Sequence, residues 1–322
     1  MAPPTPLPPM LAVSGDVPED DEWVYDWKWD GVRAVIGIAG GEAAEVRVYS
    51  RTLRDITSRY PELHELAAST RRKLLLDGEI VALDEQGRPD FGRLQSRAQV
   101  GLPTPRLLRE APVHYYAFDL LVVDDEGLCE LPYHHRRDWL ADLGLPAPPT
   151  VRTPDPHAQV SGNGLLEIAA EHGFEGIMAK HRDSVYRPGT RSKSWVNTAL
   201  RVPQEVVIGG WVPGRGHPDT LGALLLGVYD TSGALTYVGS VETGSPDAAT
   251  AALFDKFESL TRPSSPFSTP VPRTRARHAQ WVEPDLVGEV EHRRWTHDRK
   301  LWRPSWRGLR TGRAPDEIML PF

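Results

Sequence analysis

Apolar and polar residues alternate over residues 23–38 and again over 45–50, with Gly40-Gly41 between, and that pattern predicts a β-hairpin. Upstream, residues 1–20 are proline-rich and then acidic, which reads as an irregular lead-in. Pro61 and the apolar spacing Leu63, Leu66, Ala67 predict a helix over 60–72. Residues 74–83 form an apolar run interrupted by Asp77-Gly78-Glu79; Asp77 fits a turn, whereas Glu79, between Gly78 and Ile80, should point inward or to a cleft. Helices are expected over 91–99, 133–143 and 165–172, the last stopped by Gly173, and strands over 113–123 and 174–180. Residues 101–112 read as a proline-punctuated loop and 187–195 as a basic loop that could embrace phosphates.

The pattern then changes. Residues 199–205 are short and polar and make a hinge candidate. Beyond them lie short strands at 205–211, 221–229 and 235–241, a helix at 248–260, a Pro/Ser loop at 261–272 and strands again at 281–295. Several short strands with one helix suit a small Greek-key barrel of the OB type. The expected organisation is therefore a lead-in (1–20), an α+β domain (21–200) and an OB-fold barrel (201–322).

A chain of 322 residues with 40% apolar content is long enough for two packed cores. Cys129 is the single cysteine, which excludes an internal disulfide and a cysteine-based zinc site and suits a reducing cytosol. The N-terminus lacks a basic start followed by an apolar stretch, and no apolar run approaches the roughly 20 residues of a membrane span, so no membrane partner is expected. The net charge of -7 argues against nucleic acid until its distribution is considered. Residues 1–200 carry 22 basic and 30 acidic side chains and residues 201–322 carry 15 and 14, so the acidity lies wholly in the first part. Residues 290–313 hold eight Lys/Arg against Glu291 and Asp298, where a phosphate backbone could lie.

Trp27-Lys28-Trp29-Asp30-Gly31-Val32-Arg33 concentrates a lysine, a carboxylate, a glycine and an arginine between aromatic rings. A lysine with an ordinary pKa of roughly 10.4 needs about 4 to 5 kcal/mol to be neutral at pH 7, which burial, neighbouring cations or a metal must offset. Lys28 is accordingly a candidate nucleophile; the alternative is a strand whose Lys and Arg snorkel over aromatic neighbours. His134 and His135 are adjacent on a helix, point to different sides and read as solvated.

In order along the chain, Lys28-x-Asp30-Gly31-x-Arg33, Ser50-Arg51, Asp77-Gly78-Glu79, Phe118-Asp119, Glu175-Gly176-x-x-x-Lys180 and Trp306-Arg307-Gly308-Leu309-Arg310 resemble the motifs of ATP-dependent DNA ligases, covalent nucleotidyltransferases. The resemblance covers residues 8–320. It is closest in character to the small bacterial type C ligases and the ligase domain of ligase D, and the absence of attached polymerase or nuclease segments favours the stand-alone form. It implies an adenylation domain of mixed, largely antiparallel sheets with helices, followed by an OB-fold barrel. Lys28 would attack the α-phosphate of ATP; AMP would pass to the 5′-phosphate of a nick in double-stranded DNA, and the 3′-hydroxyl would displace it. Asp26, one carbon shorter than the family's Glu, would read the adenine amino group, and Phe118 would stack on the base. Arg33 and Glu79 would hold the ribose, Lys180 the α-phosphate, and Ser50-Arg51 the DNA 5′-phosphate. Glu79 and Glu175 would position Mg²⁺ or Mn²⁺. The stretch from Arg303 to Arg310 would close over the nucleotide from the second domain. The resemblance also implies a monomer in the bacterial cytosol, associated with the nucleoid during repair, with an end-binding Ku protein as candidate partner by analogy.

Two departures stand out. Where the family carries W-x-K-x-K, this chain has Trp195-Val196-Asn197-Thr198-Ala199, and where it carries x-Asp-Lys after the last arginine, this chain has Thr311-Gly312-Arg313. Loss of a preorganised phosphate donor costs about 3 to 4 kcal/mol, so activity is expected to be slow. Two alternatives stay open: an RNA ligase or capping guanylyltransferase, and a nick-binding repair scaffold with weakened chemistry.

Overall fold

The computed structural model describes residues 2–41, 45–145, 150–157, 159–214, 217–243, 248–296 and 298–321. They fall into two compact units, Met1–Leu200 and Arg201–Phe322. In the first unit the strands are β1 (Leu11–Ser14), β2 (Trp23–Trp27), β3 (Val32–Ile38), β4 (Val46–Ser50), β5 (Leu74–Ala82), β6 (Val113–Val123), β7 (Glu126–Gly127), β8 (Val151–Arg152), β9 (Gly176–His181) and β10 (Arg191–Ala199). Its helices are α1 (Leu66–Ser69), α2 (Phe91–Ala98), α3 (Pro105–Glu110), α4 (Tyr133–Asp142) and α5 (Gly162–Glu171). The second unit holds β11 (Val202–Gly214), β12 (His217–Tyr229), β13 (Leu235–Glu242), α6 (Ala248–Ser259), β14 (Thr261–Arg262), α7 (Arg273–Ala276), β15 (Gln280–His292), β16 (Arg294–Trp295), β17 (Leu301–Trp302) and β18 (Ser305–Arg310).

Two sheets build the first unit. One runs β4-β3-β5-β6-β7 with β8 alongside β6, and the other runs β1-β10-β9-β2. Alternation decides which face each residue of the larger sheet joins. Ala34, Ile36, Leu74, Leu76 and Leu120 lie on one side in a core with Leu94 of α2 and Leu140 of α4. Val35, Leu75, Phe118 and Leu121 form a second cluster with Met10, Tyr186 and Trp195 of the smaller sheet and its loops. Helix α5 covers β2 and β9 through Leu165 and Ala169 against Tyr25, Ile177 and Ala179.

The expected hairpin is half right. Strands β3 and β4 pair antiparallel, but β2 pairs with β9 in the other sheet, so Lys28-Trp29-Asp30-Gly31 is a crossing between sheets. Gly31 permits the crossing, because a β-carbon there would lie 2.3 Å from the carbonyl oxygen of Ile80.

Other expectations need correction. The lead-in at 1–20 is not irregular throughout: β1 pairs with β10, Met10 is fully buried, and the Pro8 carbonyl accepts from Gly189 N–H at 2.9 Å. Proline rings offer apolar surface and carry no N–H that burial would orphan, which suits such a strap. Strand β5 is continuous, since Asp77-Gly78 is absorbed by a register shift against β6. The loop at 101–112 contains α3, capped by the Thr104 hydroxyl with Pro105 opening the helix. The helix expected at 60–72 is a 3₁₀ segment, Pro61–Glu65, followed by the single turn of α1. The basic loop becomes strand from Arg191 onward, and residues 202–205 of the proposed hinge pair with β15.

In the second unit the sheet order is β13-β12-β11-β15-β14, with β18 on β15 and a separate β16–β17 ribbon. Its core gathers Val206, Ile208, Leu224, Leu226, Val238, Val282 and Val290 under Leu253 and Phe257 of α6. Among the described residues no helix is long and apolar enough to cross a membrane.

Candidate active site

Lys28 follows the last residue of β2 and is pinned by its neighbours. Its N–H donates to the Gly176 carbonyl at 3.0 Å. Trp27 stacks on Phe174 with centroids 4.5 Å apart, and Trp29 stacks on Tyr116 at 3.7 Å. The Nζ therefore has little freedom, and it meets the Glu175 carboxylate in a contact that leaves the two side chains 15% and 10% exposed. Glu175 stands just before β9, where Gly176 adopts a φ of 143° that favours glycine. Glu175 thus lies outside the strand that carries Lys180, and strand alternation does not fix which way its side chain faces relative to Lys180.

One cleft gathers Lys28, Arg33, Arg51, Glu79, Phe118 and Lys180, together with Asp26, Met178 and Trp195. At its buried end the Asp26 carboxylate pairs with Lys180 at 2.7 Å and accepts from the Tyr133 hydroxyl at 3.2 Å. Burial works against the Asp26 charge, but Lys180 and Arg137 hold its pKa below the usual carboxylate range. Burial lowers Lys180, and Asp26 opposes that effect. The ammonium lies 4.3 Å from the Phe118 ring centroid and 4.7 Å from that of Trp195, so both rings face a cation. Asp26 and Lys180, expected at opposite ends of the nucleotide, are thus committed to each other.

Arg33 and Glu79 are cross-strand partners on β3 and β5. The Arg33 guanidinium makes two 2.6 Å bonds to Asp77 and sits 4.7 Å from the Phe118 centroid. Burial opposes its charge, and Asp77 holds it protonated. Among the described residues Glu79 has no such private partner: burial pushes its pKa up to about 8, with Arg33 and Lys28 pulling the other way. Arg51 is exposed at the cleft, whereas the Ser50 hydroxyl turns to Thr52 at 3.2 Å and accepts from the Arg54 amide. Arg310 belongs to the second unit, where Glu289 holds its guanidinium at 2.5 Å. Asp77, Tyr133 and Tyr186 were not foreseen. Asp77 breaks the same apolar run as Glu79 and is fully buried.

Two carboxylates could hold a divalent metal beside Lys28. Glu79 and Glu175 offer hard oxygens around Lys28, and no group of three or more Asp, Glu, His or Cys residues forms a cage among the described residues. Two carboxylates completed by substrate phosphates and water suit Mg²⁺.

The first prediction concerns Glu79. Its folded pKa of about 8 exceeds its unfolded value near 4.5, so its contribution to stability is fully present below the unfolded value and is lost as pH rises through 8. With chelator present, Glu79→Gln should melt with wild type at pH 5 and several degrees above it at pH 9. Parallel melting curves across that range would overturn the assignment.

Residues 9–198 match the ATP dependent DNA ligase domain, and residues 217–313 match the ATP dependent DNA ligase C terminal region. The chain belongs to the ATP-dependent DNA ligase family. Both matches name DNA ligases, which favours that reading over RNA ligase or capping enzyme. The chain is 40% identical over 320 residues to the multifunctional non-homologous end joining protein LigD of Mycolicibacterium smegmatis and 33% identical to that of Pseudomonas aeruginosa. These alignments cover 97% and 98% of this ligase-family chain but 39% and 37% of those proteins. Among solved structures, the ligase domain of M. tuberculosis LigD is 37% identical with a TM-score of 0.56, and 97% of each chain is covered. A mycobacterial DNA ligase D complexed with ATP and MES matches at 36% identity with the same score and coverage.

Proposed function

We propose that this ligase-family chain seals nicks in double-stranded DNA through an AMP carried on Lys28. The observation that carries the reading is Lys28 itself, held at the mouth of a cleft that also gathers Arg33, Glu79, Phe118 and Lys180. In the first step Nζ, having released a proton, attacks the α-phosphorus of ATP; the P–N bond forms, the P–O bond to pyrophosphate breaks, and pyrophosphate leaves. Glu175, in contact with Nζ, is placed to accept that proton. AMP then passes to a DNA 5′-phosphate near Arg51, and the 3′-hydroxyl displaces it.

The base would lie against Phe118, with the Asp26–Lys180 pair presenting its polar edge beneath. Arg33 and Glu79 would meet the ribose, and Arg310 would contact phosphate. A divalent metal held by Glu79 and Glu175 would neutralise charge on the phosphates. Since Glu79 must be ionised to bind it, adenylation should rise between pH 7 and 9 at limiting metal. The likeness to non-homologous end joining LigD proteins supports end joining as the pathway, with a Ku-type end-binding protein as candidate partner by analogy.

The test is incubation with α-labelled ATP and Mg²⁺ or Mn²⁺. A labelled band is expected for the wild type and none for Lys28→Ala; label that survives that substitution would place the adduct elsewhere. Nicked duplex DNA should then discharge the labelled protein.

A further inference from the structure

A closed circuit of hydrogen bonds stands behind Arg33. The Tyr186 hydroxyl donates to Asp77 Oδ2 at 2.6 Å and accepts from the Met10 N–H at 2.9 Å. Asp77 takes both Arg33 bonds, and Arg33 Nη2 donates to the Met10 carbonyl at 3.3 Å. Met10, Asp77 and Tyr186 are at most 1% exposed, whereas 17% of the Arg33 side chain reaches solvent at the cleft. The tyrosine is fixed in turn, its N–H on the Cys129 carbonyl at 2.8 Å and its ring 5.8 Å from that of Trp195. Met10 precedes Leu11, which itself lines the cleft.

From this arrangement we infer that Tyr186, with the Met10 backbone, is a positioning residue for Arg33, an inference that rests on the reading of Arg33 as the ribose contact. The physical argument concerns rotation. Two parallel bonds hold the guanidinium in the plane of the Asp77 carboxylate but leave that carboxylate free to turn about its own side-chain bond. The tyrosine hydroxyl removes that freedom, because its short bond reaches one oxygen from a fixed ring. The Met10 carbonyl then holds the far nitrogen of the guanidinium. A cation aimed this way can meet the ribose hydroxyls without first ordering itself, and preorganisation of that kind is paid back in affinity. The N-terminal strap thereby becomes part of the nucleotide pocket.

The experiment measures binding of a non-hydrolysable ATP analogue with a methylene bridge between the α- and β-phosphates, in ribose and 2′-deoxyribose forms. Arg33→Ala should abolish the preference for the ribose form. Tyr186→Phe keeps the ring and should weaken the ribose analogue about tenfold while leaving the deoxy analogue within twofold. In the Arg33→Ala background, Tyr186→Phe should change neither. Asp77→Asn, which keeps the shape and loses the charge, should reproduce the Tyr186→Phe pattern. A merely structural role for Tyr186 predicts equal weakening of both analogues, with or without Arg33, and that result would overturn the inference. If Arg33→Ala leaves the ribose preference intact, the reading of Arg33 fails and the inference falls with it. If Arg33→Ala removes the preference and Tyr186→Phe retains it, only the inference falls.

Discussion

Asn197→Lys is expected to raise the rate of adenylation by about 10²- to 10³-fold, the factor associated with one preorganised donor worth about 3 to 4 kcal/mol. Residues directly opposite each other in an antiparallel ladder present their side chains to the same face. Asn197 pairs with Met178, and Met178 pairs with Asp26, both of which line the cleft. The asparagine therefore stands on the cleft face of β10, two residues beyond Trp195. Its Oδ1 is buried with no hydrogen-bond partner among the described residues. A lysine there would bring an ammonium to the cleft proposed to hold ATP. Single-turnover labelling with α-labelled ATP, wild type beside Asn197→Lys, measures the effect. An unchanged rate in a protein of unchanged melting temperature would show that the chain does not lack a cation at this position.

The second large effect is on stability. Asp119 and Arg136 are both fully buried and joined by two bonds at 2.8 and 2.9 Å. Arg136 also donates to the carbonyls of Leu131 and Ser184, tying α4 to the loop that leads into β10. Asp119→Ala leaves a guanidinium buried without its counter-charge, a loss of about 3 to 5 kcal/mol. For a unit of this size that corresponds to a fall in Tm of roughly 6 to 20 °C. Calorimetry should show the loss in the transition of the first unit while that of the second holds. Replacing both residues by apolar ones of similar volume should restore much of it, since the cost lies in the orphaned charge. A single Asp119→Ala variant that melts with wild type would refute the assignment.

Much of the fold could be read from alternation and spacing. Strand β6 was expected with the bounds it has, and the strands around 221–241 and helix α6 were placed to within a few residues of their ends. The failures share a cause, namely decisions made by distant partners. Nothing local distinguishes a strand that runs from 23 to 38 from two strands that part at Lys28 to join different sheets, because the second sheet is assembled from β9 and β10, some 150 residues later. The proline-rich start looks unstructured until the surface that covers it exists. The site divides the same way. That Lys28, Arg33, Glu79 and Phe118 share one cleft is foreshadowed by the short motifs they belong to, whereas Tyr133 and Tyr186 reach the cleft only through residues far away in sequence, Asp26 and Asp77. The mutual pairing of Asp26 with Lys180 was equally out of reach, since it depends on which charged group fills which buried space.

The crossing from β2 to β3 also sets a length. Along a strand, one residue more or less turns every following side chain to the other face. A single insertion between Gly31 and Val32 would turn Arg33 and Val35 to the apolar-core face that Ala34, Ile36 and Ile38 now fill, and send those three to the face of Asp77, Tyr186 and Phe118. The motif Lys28-x-Asp30-Gly31-x-Arg33 thus works as a ruler: its six positions keep the two sheets in phase, and a chain that altered the count would lose its cleft before it lost any residue that lines it.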